Sequence, residues 1–318
     1  MPAREIVVVD EHGEVEADID VFELPEAIQS PDQSSRWATL PSSALLTLEE
    51  ADQFLRWRDA SIIAIVGERN GGKTTLITEM YGSFLRGPFA DACFCHSLSL
   101  LGFERKSFQS RAQSGALYPD TPRTSAQDGL RFFHLALSNE PDLQRRDLLI
   151  SERAGEVYRE VRDMPDRAGE MIEILKATTV VFIIDGERIA APRRRTEVFA
   201  SVRNIIRALI DTGNIAAQAQ IQLVTTKCDL LEGDPMAEAR NRLSEFENTI
   251  AVMLAGRFEV MTFRTTARDP RAGSEPACGL APLLRSWLKP VPPVTIKNLK
   301  MPELLDEFDR LLLRRTIQ

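Results

Sequence analysis

The chain has 318 residues and 43% hydrophobic content, enough to build one sizeable core with extensions at either end. A formal net charge of −8 argues against a broad nucleic-acid surface. No apolar run approaches the ~18 residues of a membrane span and the start lacks a basic-then-apolar secretion signal, so the expected location is the cytoplasm.

Residues 1–58 are expected to form an N-terminal extension. Within it, 5–16 resembles a small hairpin turning at His12-Gly13, and 30–43 is a Ser- and Pro-rich linker. Thr47-Leu48-Glu49-Glu50 then has the form of a capping box and starts a helix running to Trp57. The β-branched run at 61–66 reads as a buried strand, and good helix formers occupy 75–84. Between them lies Gly67-Glu68-Arg69-Asn70-Gly71-Gly72-Lys73-Thr74, which fits G-x-x-x-x-G-K-[ST] in the context a P-loop requires. Gly67 and Gly72 let the backbone approach phosphate closely, and the amides of Arg69, Asn70, Gly71 and Thr75 complete the cradle. Lys73 supplies positive charge to the β and γ phosphates, and Thr74 offers its hydroxyl to Mg²⁺.

Further along, Cys93-Phe94-Cys95-His96 offers at most three metal ligands without a second pair, and the four cysteines are expected to be reduced thiols. Two strands, at 130–137 and 147–151, are separated by too few residues for a parallel crossover, which predicts an antiparallel pair. Ahead of that pair, Thr124 is the candidate for a threonine that senses Mg²⁺ and the γ-phosphate, with Thr121 second. Arg123 is a candidate to stabilise transition-state charge or an ordinary solvated loop residue. The segment Glu152-Arg153-Ala154-Gly155-Glu156 resembles the D-x-x-G element of GTPases. Glu152 takes the aspartate position that faces Mg²⁺, Gly155 the glycine that meets the γ-phosphate, and Glu156 the place where many small GTPases carry a water-orienting glutamine. Asp147 competes for the metal role but opens its strand, away from the nucleotide.

Thr226-Lys227-Cys228-Asp229 follows an apolar strand. Asp229 can accept hydrogen bonds from N1–H and the 2-amino group of guanine and would leave adenine mispaired. The Lys227 stem suits packing over the base, while Thr226 is placed to brace the neighbouring loop. Thr266-Ala267-Arg268 resembles the [ST]-A-[KR] element of GTPases, in which the alanine amide contacts guanine O6. Residues 290–318 read as a Pro-rich linker followed by an amphipathic helix carrying Leu304, Leu305, Phe308, Leu311 and Leu312.

Together these strings resemble guanine-specific P-loop GTPases of the small-GTPase and translation-factor (TRAFAC) branch over about 61–288. The long insert with Leu101-Gly102-Phe103-Glu104-Arg105 and Thr121-Pro122-Arg123-Thr124 is similar to the bacterial double-GTPase family of paired-GTPase conflict and defence systems. The resemblance implies a three-layer α/β/α sandwich over 59–289, with a mostly parallel sheet and one antiparallel strand. It also implies GTP/GDP and Mg²⁺ as cofactors and a second GTPase or an effector as partner. A GTP-hydrolysing switch is the leading expectation. A GTP-binding scaffold with little hydrolysis is the alternative, since Arg69, Glu152 and Glu156 all depart from the efficient pattern, and a P-loop kinase or ATPase is the weaker third.

Overall fold

The β-branched run after Asp59 forms β1, Ala60–Val66, whose last five residues are all buried. The computed structural model describes residues 44–108, 124, 126–139, 144–268 and 277–289, all within one unit of the chain, 41–318. The hairpin expected at 5–16, the 30–43 linker, the tail at 290–318, Thr121 and Arg123 lie outside the described residues.

Before β1 comes α1, Leu48–Leu55. Thr47 Oγ1 accepts from the Glu50 amide at 3.1 Å and Glu50 Oε2 accepts from the Thr47 amide at 2.7 Å, so two otherwise orphaned donors are satisfied reciprocally. After β1 follow α2, Lys73–Phe84, β2, Ala92–His96, and α3, Leu100–Ser107. Next are β3, Arg131–Asn139, β4, Arg145–Glu152, α4, Gly155–Asp163, α5, Ile172–Leu175, and β5, Thr179–Asp185. The chain continues through α6, Gly186–Ala190, α7, Pro192–Asp211, β6, Gln220–Thr226, α8, Ala237–Leu254, β7, Val260–Arg264, and α9, Leu280–Trp287.

The sheet has seven strands in the order β2-β3-β4-β1-β5-β6-β7. β3 runs antiparallel to both neighbours, pairing Arg131 with Glu152 and Ser138 with Arg145, while β4, β1, β5, β6 and β7 are mutually parallel. The short link between β3 and β4 thus joins an antiparallel pair, as expected. Strand β2 was not expected: it is a short edge strand whose outer residues are polar or half-exposed, so its burial pattern carries little alternation.

Side chains leave the parallel strands to two faces. Ala64 and Val66 join Phe182, Ile184 and Leu223 beneath α4, α7 and α8, whereas Ile63 and Ile65 join Val181, Ile183 and Val224 beneath α2, α3 and α9. A smaller cluster packs Leu46 and Ala51 on Ile62, Phe132 and Leu149, and Leu46 exchanges backbone hydrogen bonds with Phe132 at 2.9 and 2.8 Å. The result is a three-layer α/β/α sandwich. Because five strands are parallel, the loops leaving β1, β4, β5, β6 and β7 emerge at one edge of the sheet, where open α/β sheets bind ligands.

Candidate nucleotide site

The P-loop string spans the loop between β1 and α2, Gly67 to Gly72, and the first two residues of α2, Lys73 and Thr74. Gly72 has φ of +87°, a left-handed conformation that side-chain-bearing residues rarely adopt, and it delivers the chain into α2 at Lys73. Lys73 is buried, and its Nζ donates to the carbonyls of Gly67 at 2.7 Å and Glu68 at 3.0 Å, so the amine lies inside the loop's own curl. Burial lowers its pKa to about 8, against the upward pull of Glu152, Glu156 and Glu68.

Thr74, Thr124 and Glu152 come together although they belong to three separate segments. Thr74 Oγ1 donates to Glu152 Oε1 at 2.7 Å, and Thr124 Oγ1 donates to the same oxygen. Among the described residues, Glu152 Oε2 is buried and has no hydrogen-bond partner. Two hydroxyls and a carboxylate with one oxygen still to be satisfied make an all-oxygen donor set, which suits a hard divalent cation such as Mg²⁺. Asp147 lies at the opposite end of β4, level with Ala60 at the start of β1.

Gly155 opens α4 directly against the P-loop: a Cβ there would sit 2.3 Å from the Arg69 amide nitrogen and 2.4 Å from the Glu68 carbonyl carbon, so only glycine fits. The neighbouring Glu156 carboxylate approaches Arg69 Nε at 3.9 Å, both groups being partly exposed. Two of the three residues read as departures from small-GTPase usage therefore face each other.

The base-reading strings meet on the other side of the loop. Thr226 Oγ1 donates to the Gly71 carbonyl at 2.8 Å, and Lys227 Nζ donates to the Asn70 carbonyl at 3.0 Å. The same ammonium pairs with Asp185 at 3.1 Å and Glu187 at 2.7 Å, which raise its pKa although burial opposes them. Lys227 is thus a strut between the P-loop and α6. The Asp229 amide donates to Thr266 Oγ1 at 3.1 Å, and the Cys228 amide to the Thr265 carbonyl at 3.1 Å, so the segments after β6 and β7 are laced together. Burial pushes the Cys228 thiol up to about 11, as suits a small packing residue. Ala267 accepts at its carbonyl from the Ala277 amide at 3.3 Å, and Arg268 pairs with Glu79 of α2.

One cluster was missed from the sequence. Glu68, inside the P-loop, is buried, and its carboxylate meets Arg188 of α6 at 2.7 Å, Arg162 of α4 at 3.1 Å and the Ser201 hydroxyl of α7. Burial would raise its pKa, but the Ser201 hydrogen bond and the Arg188 and Arg162 charges outweigh it and hold the group below the ordinary carboxylate value. The only local signal was a pair of arginines, Arg159 and Arg162, spaced to share a helix face.

Fold and site together define a P-loop nucleotide-binding α/β protein, with the loop after β1 and the segments after β4, β6 and β7 gathered at one sheet edge. The family described as Double-GTPase 2 matches residues 61–288. That is well over half of the chain, which therefore belongs to this family and is a GTP-binding protein of the GTPase class. Among curated protein sequences none matches the chain. Similar solved structures include the signal recognition particle receptor SRb-GTP/SRX complex from Chaetomium thermophilum, at 15% identity and a TM-score of 0.38, covering 69% of this chain and 96% of that one. Roco2 RocCORdC of Methanosarcina barkeri bound to GDP is similar at 10% identity and a TM-score of 0.35, covering 72% of this chain and 49% of that one. The S. cerevisiae Ski7 GTPase-like domain bound to GTP is similar at 13% identity and a TM-score of 0.39, covering 76% of this chain and 53% of that one. No helix among the described residues is long and apolar enough to cross a membrane.

Proposed function

We propose that this protein is a Mg²⁺-dependent GTP-hydrolysing switch that works with a second GTPase or an effector in a bacterial defence system in the cytoplasm. The observation that carries the switch reading is the meeting of Thr74, Thr124 and Glu152 on one carboxylate oxygen. Three segments far apart in the chain are joined there by groups that a cation and a terminal phosphate would hold in register. Bound Mg²⁺ would supply charge neutralisation between the β and γ phosphates, held by Thr74, Thr124 and Glu152. Lys73 binds the phosphate oxygens once its contacts to the Gly67 and Glu68 carbonyls are exchanged for them. Gly155 presents its amide to the terminal phosphate, and Glu156 faces the attacking water. Asp229 selects guanine through two hydrogen bonds, with Ala267 contributing its amide. The partner rests on the family's description as a double GTPase.

A second reading, a GTP-binding scaffold that barely hydrolyses, is favoured by the approach of Arg69 to Glu156 at 3.9 Å, which engages the carboxylate a water molecule would need. Both readings are tested by titrating the full chain with labelled GTP and ATP in Mg²⁺ and following phosphate release. GTP is expected to bind at least about a hundredfold more tightly than ATP, and Asp229→Asn to abolish that preference. Equal or tighter ATP binding overturns guanine recognition. Release within minutes supports the switch, whereas negligible release that rises in Glu156→Gln supports the scaffold.

A further inference from the structure

Glu68 does more than phosphate binding requires. Its backbone carbonyl receives Lys73 Nζ at 3.0 Å, while its side chain turns the other way, into a buried site among three helices. There Oε2 meets Arg188 at 2.7 Å and Arg159 at 3.8 Å, and Oε1 meets Arg162 at 3.1 Å and the Ser201 hydroxyl. One residue therefore touches the phosphate-binding lysine with its main chain and helix α4 with its side chain.

Besides the Arg69–Glu156 approach, helix α4 meets the P-loop at two places that involve Glu68. At its first residue, the Gly155 backbone lies against the Glu68 carbonyl carbon and the Arg69 amide. Farther along, Arg159 and Arg162, one turn apart on the same face, converge on the Glu68 carboxylate. Two contacts along a helix axis fix both its position and its rotation. Arg162 also leans on Asp163 at 2.7 Å and Arg188 on Glu197 at 3.2 Å, so the outer sides of these guanidinium groups are balanced while Glu68 is their shared inner partner. A buried carboxylate among several guanidinium groups is held by geometry, and removing its charge leaves those cations facing one another.

We propose that Glu68 is a positioning residue that sets the register of α4 against the phosphate loop, so that Gly155 and Glu156 are held toward the terminal phosphate. The mechanical part stands on the contacts alone; its consequence for turnover rests on the hydrolytic reading above. Glu68 is not a catalytic residue in this account, since it acts through α4.

The test compares the full-length protein with Glu68→Gln and Arg162→Gln. In nucleotide-free protein, hydrogen exchange of the α4 amides at 157–163 should quicken roughly tenfold in Glu68→Gln, with β1 and α2 unchanged. Single-turnover GTP hydrolysis should fall between about tenfold and a hundredfold, while GDP affinity stays within about threefold. The double variant should be no worse than the poorer single one, because both changes break the same contact. Unchanged exchange in α4, acceleration spread equally over β1 and α2, equal losses of hydrolysis and GDP affinity, or additive losses in the double variant would each overturn the proposal. A wild-type protein that never hydrolyses GTP would refute the switch reading instead, and the exchange result would then decide the clamp by itself.

Discussion

Strand β4 carries a buried carboxylate at each end, and the protein treats the two differently. At the end far from the P-loop, Asp147 Oδ1 takes hydrogen bonds from His134 Nε2 at 2.9 Å and Arg145 Nη2 at 2.7 Å, and Oδ2 takes one from Arg145 Nε at 2.9 Å. His134 is itself fixed, because its Nδ1 accepts from the Leu98 amide at 2.9 Å, leaving Nε2 as the donor. At the other end, Glu152 gathers two hydroxyls on Oε1 and leaves Oε2 buried without a partner among the described residues. A carboxylate whose oxygens are all engaged serves the fold. One with an oxygen that no described residue satisfies is suited to a further ligand.

That contrast is sharpened most strongly at Glu152. Glu152→Gln should reduce the Mg²⁺-dependent part of GTP affinity by roughly a hundredfold, measured as titrations with and without EDTA. The nucleotide-free variant should melt close to the parent, since the amide oxygen of the glutamine can still accept from Thr74 and Thr124. A large loss of melting temperature with an intact Mg²⁺ effect would make Glu152 a structural group like Asp147 and break the comparison.

Asp147→Asn should do the reverse. Burial opposes ionisation of Asp147, but His134 and Arg145 outweigh it and lower its pKa from 3.8 to about 2. A carboxylate lowered on folding contributes stability above its unfolded value and loses it as pH falls through its folded value, here between 3.8 and about 2. A shift of this size corresponds to roughly 2 kcal/mol. Denaturant unfolding at neutral pH should show that loss in the variant, with a flatter stability profile across the acid window and unchanged GTP affinity.

The smallest effect is expected at Arg145, whose side chain is about one-third exposed. Arg145→Gln should cost under about 1 kcal/mol in the same unfolding experiment, because water screens that pair and His134 still holds the carboxylate. A cost matching that of Asp147→Asn would move the weight of the cluster from His134 to the arginine.

How legible each end was in the sequence follows from where its partners lie. The P-loop is contiguous, with fixed spacing between a strand and a helix, so residues 67–74 declare themselves. The antiparallel β3–β4 pair was readable from the shortness of its link, and strand direction placed Asp147 at the far end before any contact was known. The Glu68 cluster was not readable, because its partners Arg162, Arg188 and Ser201 lie 94, 120 and 133 residues away. Only the folded sheet brings α4, α6 and α7 around the loop. Strand β2 escaped for another reason: Cys93, Cys95 and His96 occupy a sheet edge and have no alternating core pattern to betray them. The cluster of His134, Asp147 and Arg145 likewise depends on register, since β3 sets His134 opposite Leu149 and Ala136 opposite Asp147.

The struts from Thr226 to Gly71 and from Lys227 to Asn70 have a thermodynamic consequence. In the proposed function they join the segment assigned to the purine directly to the segment assigned to its phosphates. Occupying one half therefore restrains the other, and by reciprocity the favour is returned in equal measure. Guanosine and pyrophosphate, offered as separate fragments, would behave in such a frame as mutual effectors, and selectivity for the base would be felt as tightness at the phosphates.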